Sequence, residues 1–430
     1  MDHAPLDDPL PADRRAEDSG SDPGRRSWTL RQALPGVIAA VLTAAALGGV
    51  ILYVEPGHTR GSPTAVPSSP VSSVAAAPRV VQRLPATVTF RGLRPRLAWP
   101  ASGQAMVSVP GAGSLGTSGP VGTPQPIASF AKVMTAYVVL ASHPLAAGQQ
   151  GPTLTVEAAE ADAYPAEQEA NESLVPVVAG EQLTERQALE ALLLPSADNM
   201  AQILARWDAG STSAFLHKMN AMAAGLGMRH TKYTDPSGYD AATVSTAPDQ
   251  VKLGETAMRR AAFAEIVGES AAEVPVAGVV HSTNTLLGSD GVIGIKTGSA
   301  TYAGGCLLFA TTTAVAGRKA VVYGAVLGQP GDLSTLLPNV MSASRDLIVS
   351  AENALSARTV VKAGQAVADI KWPGKTWSHL TSPRDITLVG WPGLSFHLAV
   401  TAGSGRATLT VTNGNSRQAK PIAVTLTAAS

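Results

Sequence analysis

Three short stretches of this 430-residue chain hold residues whose types and spacing can do nucleophilic chemistry. "PIASFAKVMTA" places Ser129 three residues before Lys132, at the start of an apolar run. Residues three apart share one face of a helix, so the Lys132 amine comes within hydrogen-bonding reach of the Ser129 hydroxyl. A helix N-terminus offers free backbone N–H groups and the positive end of the dipole, and both favour a forming alkoxide or oxyanion. A lysine at the start of an apolar helix is expected to have its pKa lowered by desolvation, as a general base requires. By chance alone such a composition yields about one Ser-x-x-Lys, so the motif needs company.

The company comes from two further stretches. In "LLLPSADNMA", Ser196 lies between two apolar helical runs, on a break made by Pro195 that can present a hydroxyl into a cleft. In "GVIGIKTGSATYAGGC", the β-branched run of Val292, Ile293 and Ile295 is bounded by glycines and reads as a buried strand. It ends in Lys296-Thr297-Gly298, and a lysine at the end of a buried strand is costly unless it has a partner. At the edge of a cleft, Lys296 and Thr297 can hold a carboxylate, while Gly298 lets the backbone approach a substrate closely. The N–H of Ser299 can join that of Ser129 as an oxyanion hole. Three motifs in this order are far more specific than any one of them.

The elements that must position these groups are legible in outline. "FAKVMTAYVVLASH" (130–143) is apolar nearly all round, which predicts a helix inside a core. Residues 183–207 carry helical periodicity interrupted at Pro195, and 212–228 form another helix with Gly225 and Gly227 near its end. Met219, Met222 and Met228 read as core filler. Strand signals cluster at 292–296, 306–313 and 319–328, giving an α/β domain over 93–356. Over 357–430 the pattern alternates with period two and Asn413-Gly414 signals a hairpin, so a small all-β domain is expected. "PGKTW" (373–377) looks like the end of a phosphate-binding loop, but Asp369 stands where the first glycine should and no strand-to-helix context surrounds it.

Composition excludes several alternatives. Net charge is zero and charged residues make up 15% of the chain, so no electrostatic footprint for nucleic acid is present. The one cysteine, Cys306, cannot form an intrachain disulfide and reads as packing. There is no His-Glu-x-x-His pattern, and neither a metal nor another cofactor is expected.

The N-terminal part has its own organisation. Residues 1–36 are polar and read as a disordered tail. Residues 37–54 carry no charge, and as a helix they span about 27 Å, close to a bilayer's hydrocarbon core. The long leader and the lack of a small-x-small cleavage site predict an uncleaved transmembrane anchor. Arg14, Arg15, Arg25, Arg26 and Arg31 precede this span and only Arg60 follows it closely, so the tail is expected to be cytoplasmic. Residues 55–92 read as a Pro/Ser/Ala-rich tether. The expectation is a single-pass cell-membrane protein with its catalytic domain outside.

Ser-x-x-Lys, Ser-x-Asn and Lys-Thr-Gly are the signature of penicillin-binding proteins and serine β-lactamases. The stretches "ASFAKVMTAYVVL", "LLLPSADN", "TKYTDPSGYD" (231–240) and "GVIGIKTGSATYAGGCLLFA" resemble the D-alanyl-D-alanine carboxypeptidase branch of that group, over about residues 93–355. The resemblance implies a β-lactamase/transpeptidase-like fold, an antiparallel sheet with helices and a helical subdomain, followed by the small all-β domain. It implies a membrane-anchored serine peptidase that trims the terminal D-alanine from peptidoglycan stem peptides, with β-lactam antibiotics as covalent inhibitors. By the same resemblance Ser129 is the acyl-forming nucleophile and Lys132 the base that takes its proton. Ser196 relays a proton towards the leaving amine. Lys296, Thr297, Gly298 and Ser299 bind the substrate, the first two at its terminal carboxylate.

One position departs from the pattern. Where the family usually has Asn as the third residue of the second motif, this chain has Asp198, followed by Asn199. Either Asp198 faces Lys132 and raises the lysine's pKa, or the loop is displaced so that Asn199 points inward. Two rival readings follow. A class A β-lactamase needs a glutamate to activate the deacylating water, and "HTKYTDPSGYD", some 35 residues after Ser196, offers none. A non-catalytic cell-wall scaffold of the same fold draws its support from the Asp-Asn exchange.

Overall fold

The computed structural model describes residues 77–413 and 422–428. The tail, the expected span at 37–54 and the first part of the tether lie outside the described residues, among which no helix is long and apolar enough to cross a membrane.

The centre is a five-stranded sheet in the order Val292–Ala300, Gly304–Val315, Arg318–Gln329, Gln104–Val109, Gly113–Ser118. Every pairing in it is antiparallel. The three strands expected from sequence are present; the first starts at Val292 as expected and runs on to Ala300, and the other two are longer at both ends than the apolar stretches that announced them. Strand side chains alternate between faces, and both faces here are covered. Cys306, Leu308 and Ala310 join one core with the helices, whereas Leu307 and Phe309 join a second core on the opposite side. That two-sided burial explains why "CLLFA" is apolar without alternation.

Eight helices accompany the sheet among the described residues. They are α1 (Ala131–Ser142), α2 (Ala158–Glu169), α3 (Glu185–Leu193), α4 (Asp198–Ala209), α5 (Thr212–Gly225), α6 (Ala247–Ala257), α7 (Ala261–Ile266) and α8 (Leu336–Asn353). α1 is buried at every position from Ala131 to Leu140, as its all-round apolar sequence requires. It packs against α3, α4, α5 and α6. Met219 and Met228 are buried in the same core and Met222 packs against it. α8 covers the other face of the sheet, with Val340, Leu347 and Ile348 beside Leu307 and Phe309.

From Ser356 onward the described chain is all strand and turn. Its buried residues, among them Ile370, Leu388, Trp391 and Leu409, belong to the same core as α8 and the far face of the sheet. The tether expected over 55–92 needs correction at its end. Arg79–Gln82 pairs with Ala366–Lys371, and Thr87–Thr89 pairs with Ser395–Gly403. Val88 and Phe90 are buried there, so a short alternating segment inside a Pro/Ala-rich stretch is recruited by strands some 300 residues away. The hairpin signal at Asn413-Gly414 falls at the edge of residues 414–421, which lie outside the described residues. The strands on either side, Arg406–Asn413 and Ile422–Thr425, pair antiparallel in the register Val411↔Ile422. "PGKTW" is the turn between the paired strands Ala366–Lys371 and Trp377–Thr381, with no helix following.

Candidate active site

Ser129 lies in the 3-10 turn Ala128–Phe130 that leads into α1. Lys132 follows one turn later and is fully buried. Its Nζ donates to Ser129 Oγ at 2.9 Å, to Asp198 Oδ1 at 2.6 Å and to the carbonyl of Ser237 at 3.0 Å. The Ser129–Lys132 spacing of the sequence is therefore a direct contact.

The break at Pro195 separates α3 from α4 and places Ser196 at φ +71°, a left-handed conformation that serine adopts only when its surroundings hold it there. Ser196 is buried, and its hydroxyl has no hydrogen-bond partner among the described residues. Asp198 then opens α4. One carboxylate oxygen meets Lys132 while the other accepts from Ser173 N at 2.8 Å, and Asp198 N donates to Ser173 O at 2.6 Å. Asn199 turns the other way: its Nδ2 donates to Val175 O at 2.8 Å and its Oδ1 accepts from Met200 N at 3.0 Å. Of the two arrangements open to the sequence, the structure has Asp198 facing the lysine and Asn199 clamping the 173–175 segment.

Lys296 sits on the edge strand Val292–Ala300 and is 1% exposed. Its Nζ has no hydrogen-bond partner among the described residues. Burial drives its pKa well down, the nearby Lys132 pushes the same way, and Asp198 opposes both. A buried amine without a hydrogen-bond partner costs free energy. Thr297 Oγ1 shares a 2.5 Å hydrogen bond with Thr283 Oγ1. At Gly298 a Cβ would stand 3.3 Å from Ser129 N and 3.2 Å from the carbonyl of Ile127, a tight fit that the bare glycine relieves where the strand runs close to Ser129. Ser299 is exposed at the cleft. Cys306 is fully buried, and burial pushes its thiol up to about 12, in keeping with a packing role.

A cleft of about 350 Å³ is lined by Ser129, Ser173, Asp198, Tyr239, Ser299 and Tyr302 among others, while Lys132, Ser196, Lys296 and Thr297 are buried and do not line it. Sequence reasoning missed what holds its second wall. Asp235 Oδ2 accepts from Ser237 N, Gly238 N and Tyr239 N, fixing the loop that presents the Ser237 carbonyl to Lys132. Thr135 of α1 ties the same loop through the Pro236 carbonyl at 2.6 Å. Tyr302 Oη donates to the carbonyls of Gly238 and Tyr239 at 2.9 and 2.7 Å. The Asp-Pro-Ser-Gly turn signal in "TDPSGYD" was the available clue. Glu172 was missed as well, because a glutamate was sought only after Ser196. It is half-buried between the cleft-lining residues Asn171 and Ser173, and its carboxyl is raised to about 7, by burial first and then by Asp198. Among the described residues no group of His, Cys, Asp and Glu side chains could hold a metal ion.

The profile of the D-alanyl-D-alanine carboxypeptidase family matches residues 103–328, more than half of the chain and all three motifs. The chain belongs to this family of serine peptidases. The D-alanyl-D-alanine carboxypeptidase of Streptomyces sp. (strain K15) is 34% identical over 211 residues, covering 45% of this chain and 69% of its own length. The D-alanyl-D-alanine carboxypeptidase DacB2 of Mycobacterium tuberculosis is 36% identical over 171 residues, 37% of this chain and 58% of its own. Among solved structures, the Streptomyces K15 DD-transpeptidase is 28% identical with a TM-score of 0.51, over 60% of this chain and 98% of that one. A peptidoglycan synthesis regulatory factor from Streptococcus pneumoniae, 21% identical, shares the fold with a TM-score of 0.59, over 76% of this chain and 97% of its own. As a member of the carboxypeptidase family this chain is a hydrolase with DD-peptidase activity, and its penicillin-binding-protein fold carries an acyl-enzyme mechanism on serine. Its substrate class is peptidoglycan ending in D-Ala-D-Ala, and β-lactams bind the same family of sites.

Proposed function

We propose that Ser129 is the residue that carries the acyl group. The observation that supports this best is the 2.9 Å contact between its hydroxyl and the fully buried Lys132 amine, at a helix N-terminus that opens on the cleft. As Ser129 Oγ bonds to the carbonyl carbon of the penultimate D-alanine, its proton passes to Lys132 Nζ. The carbonyl oxygen becomes an oxyanion, for which the N–H groups of Ser129 and Ser299 are the candidate donors. When the C–N bond breaks, the proton leaves Lys132 for the departing amine, with the unpartnered Ser196 hydroxyl as relay. Water then releases the acyl group from Ser129. The free Lys296 amine takes the terminal carboxylate, assisted by Thr297, and the close approach at Gly298 leaves room for the substrate backbone.

The localisation belongs to the same reading. An uncharged run at 37–54 preceded by five arginines supports one N-terminal anchor with a cytoplasmic tail and an extracytoplasmic catalytic part. Deleting 37–54 should then move the protein from the membrane fraction to the soluble one; retention in the membrane would remove the anchor.

Incubation of the purified full-length protein with a fluorescent penicillin, followed by peptide mapping, tests the assignment of Ser129. A stable adduct on Ser129, absent from Ser129→Ala, is expected, with D-alanine released from a peptide ending in D-Ala-D-Ala. No adduct on folded protein would favour the scaffold reading. Rapid penicillin hydrolysis would favour a β-lactamase, with Glu172 as the carboxylate that activates water.

A further inference from the structure

Lys132 Nζ is surrounded by three acceptors, Ser129 Oγ, Asp198 Oδ1 and the Ser237 carbonyl. An ammonium fills all three with N–H groups, whereas a neutral amine has two N–H groups and one lone pair. Lys132 can therefore take the Ser129 proton only after it has given one up. With asparagine at position 198 that proton would have to go to water. Here a carboxylate oxygen stands 2.6 Å away, and the lysine is sealed from solvent.

We propose that Asp198 is the store for the surplus proton of Lys132, so that the base is readied by transfer within the buried pair and not by exchange with solvent. This rests on the reading of Ser129 and Lys132 as nucleophile and base. The neighbouring groups bear on both forms of the pair, some favouring the ionic form and others the neutral one. The Ser173 N–H on Asp198 Oδ2, at 2.8 Å, favours the ionic form. Lys296, from the edge strand, opposes an ammonium at Lys132 only when it is itself protonated, and Glu172, once ionised, opposes a carboxylate at Asp198. Glu167 of α2 and Asp235 of the facing loop add negative charge near Asp198 and Glu172, in the same direction as Glu172.

The protons balance as follows. The Nζ–H bond towards Asp198 breaks and an Oδ1–H bond forms, leaving Lys132 neutral and Asp198 a carboxylic acid. A third of a turn about the Cε–Nζ bond aims the lone pair at Ser129. Ser129 Oγ then bonds to the substrate carbonyl carbon while its proton passes to Nζ, giving an ammonium and an oxyanion. Collapse breaks the C–N bond, and the leaving amine takes the proton from Nζ through Ser196. The proton on Asp198 finally returns to Lys132. The net transfer is from the Ser129 hydroxyl to the amine.

Both forms of the pair hold the same number of protons, so their ratio does not depend on pH between the ionisation of the carboxyl and that of the amine. The test is the first-order acylation constant at saturating fluorescent penicillin, where carboxylate docking at Lys296 no longer limits. It is measured on the full chain from about pH 5 to about pH 9, a range that brackets the Glu172 ionisation. The wild type should change by no more than about threefold, the small rise coming as Glu172 ionises and disfavours the Asp198 carboxylate. Asp198→Asn must lose its proton to water, and its rate should climb by about tenfold per pH unit below the lysine ionisation. Asp198→Ser, which also lacks the carboxyl, should show the same slope and covers the case in which the asparagine variant does not fold. Parallel profiles in wild type and either folded variant would overturn the proposal, since a merely structural Asp198 changes the level and not the slope. Absence of any adduct on the wild type would instead overturn the assignment of Ser129 itself, and the proton store with it.

Discussion

The two faces of the central sheet are built on opposite terms. On the side of α8 and the C-terminal strands, an apolar core running from Leu307 and Phe309 to Leu409 and Trp391 is joined by neutral polar side chains such as Thr311 and Ser344. On the side of α1, α3 and α4, the core holds ionisable groups as well. Among the described residues every buried charged side chain lies between Lys132 and Lys296, including Glu185, Arg186, Glu190, Asp198 and Asp249. Burying a charge costs free energy unless a partner compensates it. Some of these groups are compensated: Arg186 meets Glu190 at 2.6 Å and Glu265 at 3.1 Å, and Lys132 has three acceptors. Glu185 and Lys296 have no hydrogen-bond partner among the described residues. The comparison teaches that both faces are held by apolar cores, and that only the helical face carries the cost of buried charge as well.

The largest effect that tests this contrast is on the apolar side. Phe309→Ala removes a fully buried ring packed over Gly324 and should destabilise the protein by about 3–5 kcal/mol in urea denaturation. Acylation by penicillin per folded molecule should be unchanged. A large fall in that specific activity would show that the two faces are not separable.

On the helical side, Glu185→Gln should change how stability depends on pH. Glu185 is fully buried at the start of α3 and its carboxyl is raised to about 7, by burial and by Asp208. The folded state keeps a proton that the unfolded chain releases above about 4.5. Stability contributed by the neutral acid is therefore present at low pH and lost as pH rises through about 7. In Glu185→Gln that loss, of the order of 3 kcal/mol, should disappear from a series of urea midpoints between about pH 4 and about pH 8. An unaltered pH dependence would mean that Glu185 is ionised in the folded protein.

The smallest effect sharpens the trade between stability and function. Lys296→Met replaces an unpartnered buried amine with an apolar chain of similar length and should stabilise the fold by about 1–3 kcal/mol. For a lysine whose folded pKa is depressed, the unfolded state binds the proton first as pH falls. Wild-type stability should thus rise with pH below about 10.5, and the variant should lack that rise. KM for a substrate with a free C-terminal carboxylate should increase at the same time. A destabilised variant would show that Lys296 has a partner in solution.

Much of the site was legible because it is local. Ser129 and Lys132 are one helical turn apart, so their contact needs only the helix that the apolar run guarantees. The break at Pro195 and the strand carrying Lys296 are likewise properties of neighbouring residues. What stayed hidden depends on which distant segment arrives. Glu172, Ser173 and Asp235 carry no signature of their own, because their roles come from where their loops dock. The strands at 79–82 and 87–89 read as tether for the same reason: their partners are far along the chain.

By itself, then, the sequence determined the family, the order of the three motifs and the secondary structure beneath each. Only the tertiary structure decided between Asp198 and Asn199. Consecutive helical residues point about 100° apart, so one of the two must face Lys132 and the other must not. The choice is made at the N-terminus of α4, where Asp198 N is held by Ser173 O and Asn199 by Val175 O. No local propensity encodes that rotation, since it is set by the docking of one segment on another.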